Sequence, residues 1–189
     1  MCPIALDADN RQLTQAIADE IRQAGGRTDP EQTEALLDAI CAARRVFVSG
    51  QGRSGLMVQA FAMRLVHVGL ITHVVGDVTT PAITEGDLLV VATGSGQTRT
   101  TQAILEAALA RGARVAVITA HPDAPIGRLA HVVVKLHTPI TTDRSHSIQP
   151  PGSLFEQALL VYCDAVIMQL MKRLGTTIDA MRARHTKLE

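Results

Sequence analysis

Residues Thr93, Ser95 and Thr98 place three hydroxyls within six positions, interleaved with Gly94 and Gly96. Glycine has no Cβ, so the backbone can take positive φ and approach an anion closely. No acidic residue falls between Thr93 and Thr98, and the helical pattern from Thr101 to Leu109 aims its unpaired first-turn N–H groups at the same point. This is chemistry for holding a phosphate. The competing reading is a strand-to-helix turn whose glycines tighten the bend and whose hydroxyls cap the helix.

A second glycine-rich stretch, Gly50-Gln51-Gly52-Arg53-Ser54-Gly55, follows another apolar run. Its Gly-x-Gly-x-x-Gly spacing matches the dinucleotide fingerprint, and Asp77 falls about where that fold places its ribose-binding acid. Yet Arg53 and Ser54 put a cation and a hydroxyl inside the turn, which suits a terminal phosphate or a sugar oxygen. A dinucleotide domain needs no second hydroxyl-rich turn two strands later. Two polar glycine turns at adjacent strand ends describe a pocket for one small phosphorylated molecule, with Gly52, Ser54, Gly94, Ser95, Gly96 and Thr98 as its phosphate-binding residues. Arg53 either neutralises charge in that pocket or pairs with an acid at the surface.

Composition narrows the ligand. The 18 basic residues balance 18 acidic ones, which leaves no electrostatic footprint for a nucleic acid or an anionic membrane. With three Phe, one Tyr and no Trp, platforms for stacking bases are nearly absent. Cys2, Cys41 and Cys163 show no metal-type spacing, and an odd number argues against a disulfide framework. His67, His73, His131 and His137 flank apolar runs without a third ligand, so no metal is expected. His121 and His146 lie either at the pocket mouth or in solvent. Asp77, Thr79 and Thr80 either meet sugar hydroxyls or turn the chain before Pro81. There is no signal-type start, and the apolar run from Ala158 is broken by Asp164, so a soluble, cytoplasmic protein is expected.

The elements that must carry these turns follow from periodicity. Leu13, Ile17 and Ile21 recur at helical spacing before Gly25-Gly26, and Asp29-Pro30 reads as an N-cap with proline at the first position of a second helix to about Ala43. Strands are expected at 45–50, 71–75, 87–93, 114–119 and 131–136, with helices at 56–67 and 101–109 and a helical turn at 126–130. Unbroken apolar strands alternating with helices predict an α/β fold, a doubly wound five-stranded parallel sheet sandwiched by helices, behind two N-terminal helices. Ligand is then expected at the carboxyl ends of the strands. Residues 137–152 lose all pattern and read as a functional or interfacial loop. Helices over 153–174 and 177–184 close the chain, which is expected to be one domain over 1–189.

Beyond residue 45 the chain resembles the sugar isomerase (SIS) domain family. The resemblance is carried by Gly50-Gln51-Gly52-Arg53-Ser54-Gly55-Leu56, by Phe61-Ala62-Met63-Arg64-Leu65, by Val75 to Ala82, by Gly86-Asp87-Leu88-Leu89 and by Gly94-Ser95-Gly96-Gln97-Thr98. Pro151-Gly152-Ser153-Leu154-Phe155-Glu156 and the tail Arg184-His185-Thr186-Lys187-Leu188-Glu189 are similar to the branch that isomerises hexulose phosphates. Thr93 stands where that branch often has Ser, and Lys187 where Asn is common.

The resemblance implies a reversible conversion of D-arabino-hex-3-ulose 6-phosphate to D-fructose 6-phosphate with no metal or organic cofactor. It also implies a homo-oligomer, a tetramer, acting downstream of the 3-hexulose-6-phosphate synthase that condenses formaldehyde with ribulose 5-phosphate. Moving a carbonyl from C3 to C2 needs a base, a group facing the enediolate oxygen and a fixed phosphate. The resemblance marks Glu156 as the base and His185 as an acid or sugar-hydroxyl ligand, with Arg53 as the third catalytic group. Two local readings compete: Ser153-x-x-Glu156 also spells a capping box, and His185 also suits a helix C-terminus. An isomerase for another phosphosugar and a noncatalytic sugar-phosphate sensor remain alternatives.

Overall fold

The structure, a computed structural model, describes residues 8–139 and 147–187. Helix α1 (Asn10–Gly25) starts on a capping box the periodicity does not reveal: Asp9 accepts from the Gln12 N–H at 2.8 Å while Gln12 accepts from the Asp9 N–H at 2.9 Å. Helix α2 (Pro30–Ala42) starts as its sequence predicts, with Asp29 accepting from the Glu31 N–H and Pro30 at the first position. Both helices pack within the chain, α1 on the long helix α6 (Ser153–Leu174) and α2 on the last strand.

The five strands are β1 (Val46–Gly50), β2 (Thr72–Val74), β3 (Leu88–Thr93), β4 (Arg114–Thr119) and β5 (Val132–Lys135), all parallel in the order β2-β1-β3-β4-β5. Their β-branched and leucine side chains alternate between two buried layers. Val46, Val48, Leu88, Val90, Ile118 and Val134 face α2, α6 and α3 (Gly52–Val68). Phe47, Leu89, Val91, Val115 and Val117 pack with Leu105 of α4 (Arg99–Leu109) and Ile126 of α5 (Pro125–Arg128). The order reverses between β1 and β3, and that reversal opens the ligand crevice of such sheets at the carboxyl ends. It is the order of flavodoxin-like sheets, and differs from the 3-2-1-4-5-6 order of dinucleotide-binding domains.

At the opposite, amino-terminal edge, Asp87 ties β1 to β3. Its fully buried carboxylate takes a two-pronged contact from Arg45, at 3.0 and 2.6 Å, and also accepts from Arg44 and the Thr84 N–H. Burial works against ionisation, but the Arg45 hydrogen bonds, the Thr84 N–H and Arg44 overcome it and hold the carboxyl at about 2. Cys41 and Cys163 are free thiols; Cys2 lies outside the described residues. Helix α6 is long and apolar enough to cross a bilayer, contrary to the sequence expectation that no such run exists, yet Phe155, Leu159, Val166 and Leu170 are buried in the core.

Candidate functional site

Gly50 pairs with Ala92 across β1 and β3, so both glycine turns emerge side by side at the switch point. The first is tighter than its sequence suggests. Helix α3 begins at Gly52 rather than near Leu56, because Gly52 takes φ +57° and Gly50 and Gly55 lie in contact: a Cβ on Gly55 would sit 2.7 Å from the Gly50 carbonyl oxygen. Arg53 and Ser54 therefore ride the first turn of α3, where the N–H groups lack intrahelical partners and Gln51 gives no side-chain cap.

In the second turn Gly96 takes φ +66° and presses on α5; a Cβ there would lie 2.6 Å from that of Ala124. The turn is stapled from below. The Thr119 hydroxyl and the Ala120 N–H both donate to the Gly94 carbonyl at 3.3 Å, and the Ile126 N–H donates to that of Gly96 at 3.1 Å. Buried Thr93 accepts from the Gly96 N–H, and Ser95 accepts from the Gln97 N–H, each at 3.3 Å. Thr98 is the N-cap residue of α4, but its hydroxyl makes no cap bond. The capping alternative thus fails for Thr98, and the α4 first turn keeps its donors for a ligand.

Glu156 answers its own competing reading. The N-cap of α6 is Gly152, at φ +87°, one residue before the serine of the apparent capping box. The Ser153 N–H donates to the Pro150 carbonyl at 3.1 Å, so the donor that Glu156 would have capped is already taken. The Glu156 carboxylate instead reaches Arg53 Nε on α3. Its side chain is only 15% exposed against 61% for Arg53, so the acid is shielded while its cation faces outward. The segment leading into α6 is clasped by Glu20 of α1, which accepts from the Ser147 hydroxyl, the Ile148 N–H and the Gln149 side-chain amide, each at 2.9 Å.

His185 is not brought to this place within the chain. It ends α7 (Ile178–Arg184), its ring 5.0 Å from that of His67, while Arg184 donates to the His67 carbonyl at 3.0 Å. His67 and Arg53 stand fourteen residues apart on α3, about 20 Å at the helical rise. Asp77 to Thr79 are exposed in the turn before Pro81, which half-buried Thr80 closes by donating its N–H to the Asp77 carbonyl and its hydroxyl to that of Val74. His131 accepts from the Val115 N–H and His73 leans on Phe47, both structural contacts. His146 lies outside the described residues. Among the described residues no three His, Cys, Asp or Glu side chains converge as a metal site would.

Sequence reasoning passed over Lys135 and left Gln97 unassigned. An open cavity of about 490 Å³ beyond the second turn is lined by Ser95, Gln97, His121, Asp123 and Lys135. The one available signal was that Lys135, like the two glycine turns, ends a core strand at its carboxyl edge.

A parallel sheet with this order, two glycine turns at its switch point and a shielded carboxylate paired with the first of them define an α/β domain with a polar crevice at its strand ends. The SIS domain matches residues 39–168, and the chain belongs to that family. It is 44% identical to the 3-hexulose-6-phosphate isomerase of Mycobacterium gastri, over 92% of this chain and 88% of that one. It is 37% identical to the 3-hexulose-6-phosphate isomerase of Bacillus subtilis (strain 168), over 92% and 95%. Among solved structures, a hypothetical protein from Methanococcus jannaschii superposes with a TM-score of 0.83 at 28% identity, over 94% of this chain and 99% of that one; its structure infers a molecular function of 3-hexulose-6-phosphate isomerase.

Proposed function

We propose that this chain is an isomerase that interconverts D-arabino-hex-3-ulose 6-phosphate and D-fructose 6-phosphate through an enediol. The observation that carries the reading is Glu156, released from helix capping and held on Arg53 beside the two turns. Relatives that share more than a third of their residues over nearly the whole chain have the same activity in their names.

In the proposed site Ser95, Thr98 and the N–H groups around Gly94 and at the start of α4 hold the phosphate, with Gly96 shaping the turn and Gly52 and Ser54 beside them on the first turn of α3. Glu156 takes the proton from C2 as the C3 carbonyl oxygen becomes the enediol oxygen. The proton returns to C3 as the O2 hydroxyl passes its own to O3, which leaves the carbonyl at C2 and a hydroxyl at C3. Arg53 holds the Glu156 carboxylate in place in the resting site and faces the negative charge that develops on the enediolate. His185 serves as acid or sugar-hydroxyl ligand from a neighbouring subunit. Assembly into a tetramer fits the exposed apolar residues Leu56, Met63 and Val66 of α3 and Val161 and Met168 of α6, on two helices that pack together. The proposed setting is the cytoplasm, downstream of 3-hexulose-6-phosphate synthase.

A coupled assay that follows fructose 6-phosphate formation from hexulose 6-phosphate tests the reading. Glu156→Gln keeps the shape and removes the base, so turnover falls by about 10²–10⁴-fold with substrate affinity retained. Full turnover in the folded variant would remove Glu156 from the chemistry.

A further inference from the structure

A phosphate monoester carries close to two negative charges at neutral pH. The partial charge of the α4 N-terminus offsets about half of one. Arg53 contributes little more in the resting site, because it is already paired with Glu156. The phosphate therefore calls for a further cation, and the row of residues that ends the sheet supplies one.

The β3–β4 and β4–β5 registers align Thr93, Thr119 and Lys135 across three neighbouring strands. Residues so aligned in a parallel sheet share a face, here the one that packs Leu89, Val91, Val115 and Val117 under α4 and α5. At the ordinary spacing between strands, the Lys135 and Thr93 backbones lie about 10 Å apart, a span that the long lysine stem largely covers. Thr119 in the middle of the row already props the second turn through its bond to the Gly94 carbonyl. Lys135 lies half-buried in the lining of the 490 Å³ cavity that also contains Ser95, Gln97 and His121.

We propose, on the footing of the phosphate-turn reading above, that Lys135 is a phosphate-binding residue, whose ammonium reaches across the cavity to the anion held by Ser95 and the start of α4. Two further observations support the assignment. Lys135 makes no ion pair among the described residues, although Asp123 lines the same cavity. Its charge acts on its surroundings: burial, then Lys135 and Arg27, hold His137 below the usual imidazole value. Arg99, at the first position of α4, is the other cation near the turn; it is exposed and does not line the cavity.

The test is steady-state kinetics on hexulose 6-phosphate, with inorganic phosphate as competing ligand, for Lys135→Met, Lys135→Arg and, as a surface-charge control, Arg99→Met. Lys135→Met raises KM and the inhibition constant of phosphate by the same factor, about 10–100-fold, with kcat within about threefold. Lys135→Arg recovers most of the loss, and Arg99→Met stays within about twofold of wild type. If the methionine variant melts early, Lys135→Gln repeats the measurement. Unchanged KM and phosphate inhibition in folded Lys135 variants, or an equal effect in Arg99→Met, would overturn this assignment while leaving the isomerase reading in place. A wild-type protein that neither turns over the sugar phosphate nor binds inorganic phosphate would overturn both.

Discussion

Hydroxyls that look equivalent along the second turn have different partners once the turn is folded. Thr93 is buried, and its oxygen accepts the Gly96 N–H, so it shapes the turn. Among the described residues Ser95 accepts one long bond, from Gln97, and donates none, which leaves its own hydrogen for a ligand in the proposed site. Thr98 stands at the helix start without capping it. Ser95→Ala therefore removes a ligand contact and little else. A hydrogen bond to a charged group is worth about 1.5–3 kcal/mol, so affinity for the phosphosugar and for inorganic phosphate should fall together, by about tenfold to hundredfold. Titration calorimetry with phosphate, beside a thermal melt that stays near wild type, checks this; unchanged affinity would take Ser95 out of the site. Glu156 teaches the same lesson. Ser153-x-x-Glu156 spells a capping box, but Pro150-Pro151-Gly152 shifts the true N-cap back to Gly152, and the carboxylate is left to pair across helices.

The strand–turn–helix units were legible because each is local: apolar runs of strand length, glycines where φ is positive, and proline or aspartate at helix starts. Less legible were relations set by tertiary order. Nothing in the chain near Lys135 says that β5 lies beside β4, and nothing near Glu20 says that it clasps residues 147–149 in front of α6. Asp87 belongs with these, since its charge is interpretable only once Arg44 and Arg45 are seen to converge on it at the foot of β1 and β3. Its folded value of about 2 lies below the ordinary 3.8, so it stabilises the folded chain above the ordinary value and loses that contribution as the pH falls through about 2. Asp87→Asn should thus cost about 2 kcal/mol at neutral pH, and the gap to wild type should close between about pH 4 and pH 2. Urea denaturation of both proteins across that range decides it; a gap independent of pH would assign the loss to packing.

At the scale of the whole molecule, the proposed roles of His185 and Glu156 require the two to meet between subunits. The α3 helix, about 20 Å long between Arg53 and His67, separates the two groups within the chain. His185 is exposed, and apolar side chains remain uncovered on α3 and α6. In the proposed symmetric assembly, burial of those side chains brings subunits together and the tail of one subunit serves the strand ends of another. Shared sites make a prediction that no single variant can. Glu156→Gln and His185→Ala are each deficient as homo-oligomers, yet coexpression mixes them. A site then regains both groups wherever a subunit with Glu156 adjoins one with His185. With equal expression and random assembly, about a quarter of the sites are complete, so the mixture should recover about a quarter of wild-type turnover. If His185 instead serves its own chain, every site in the mixture lacks one group, and activity stays at the mean of the two parents.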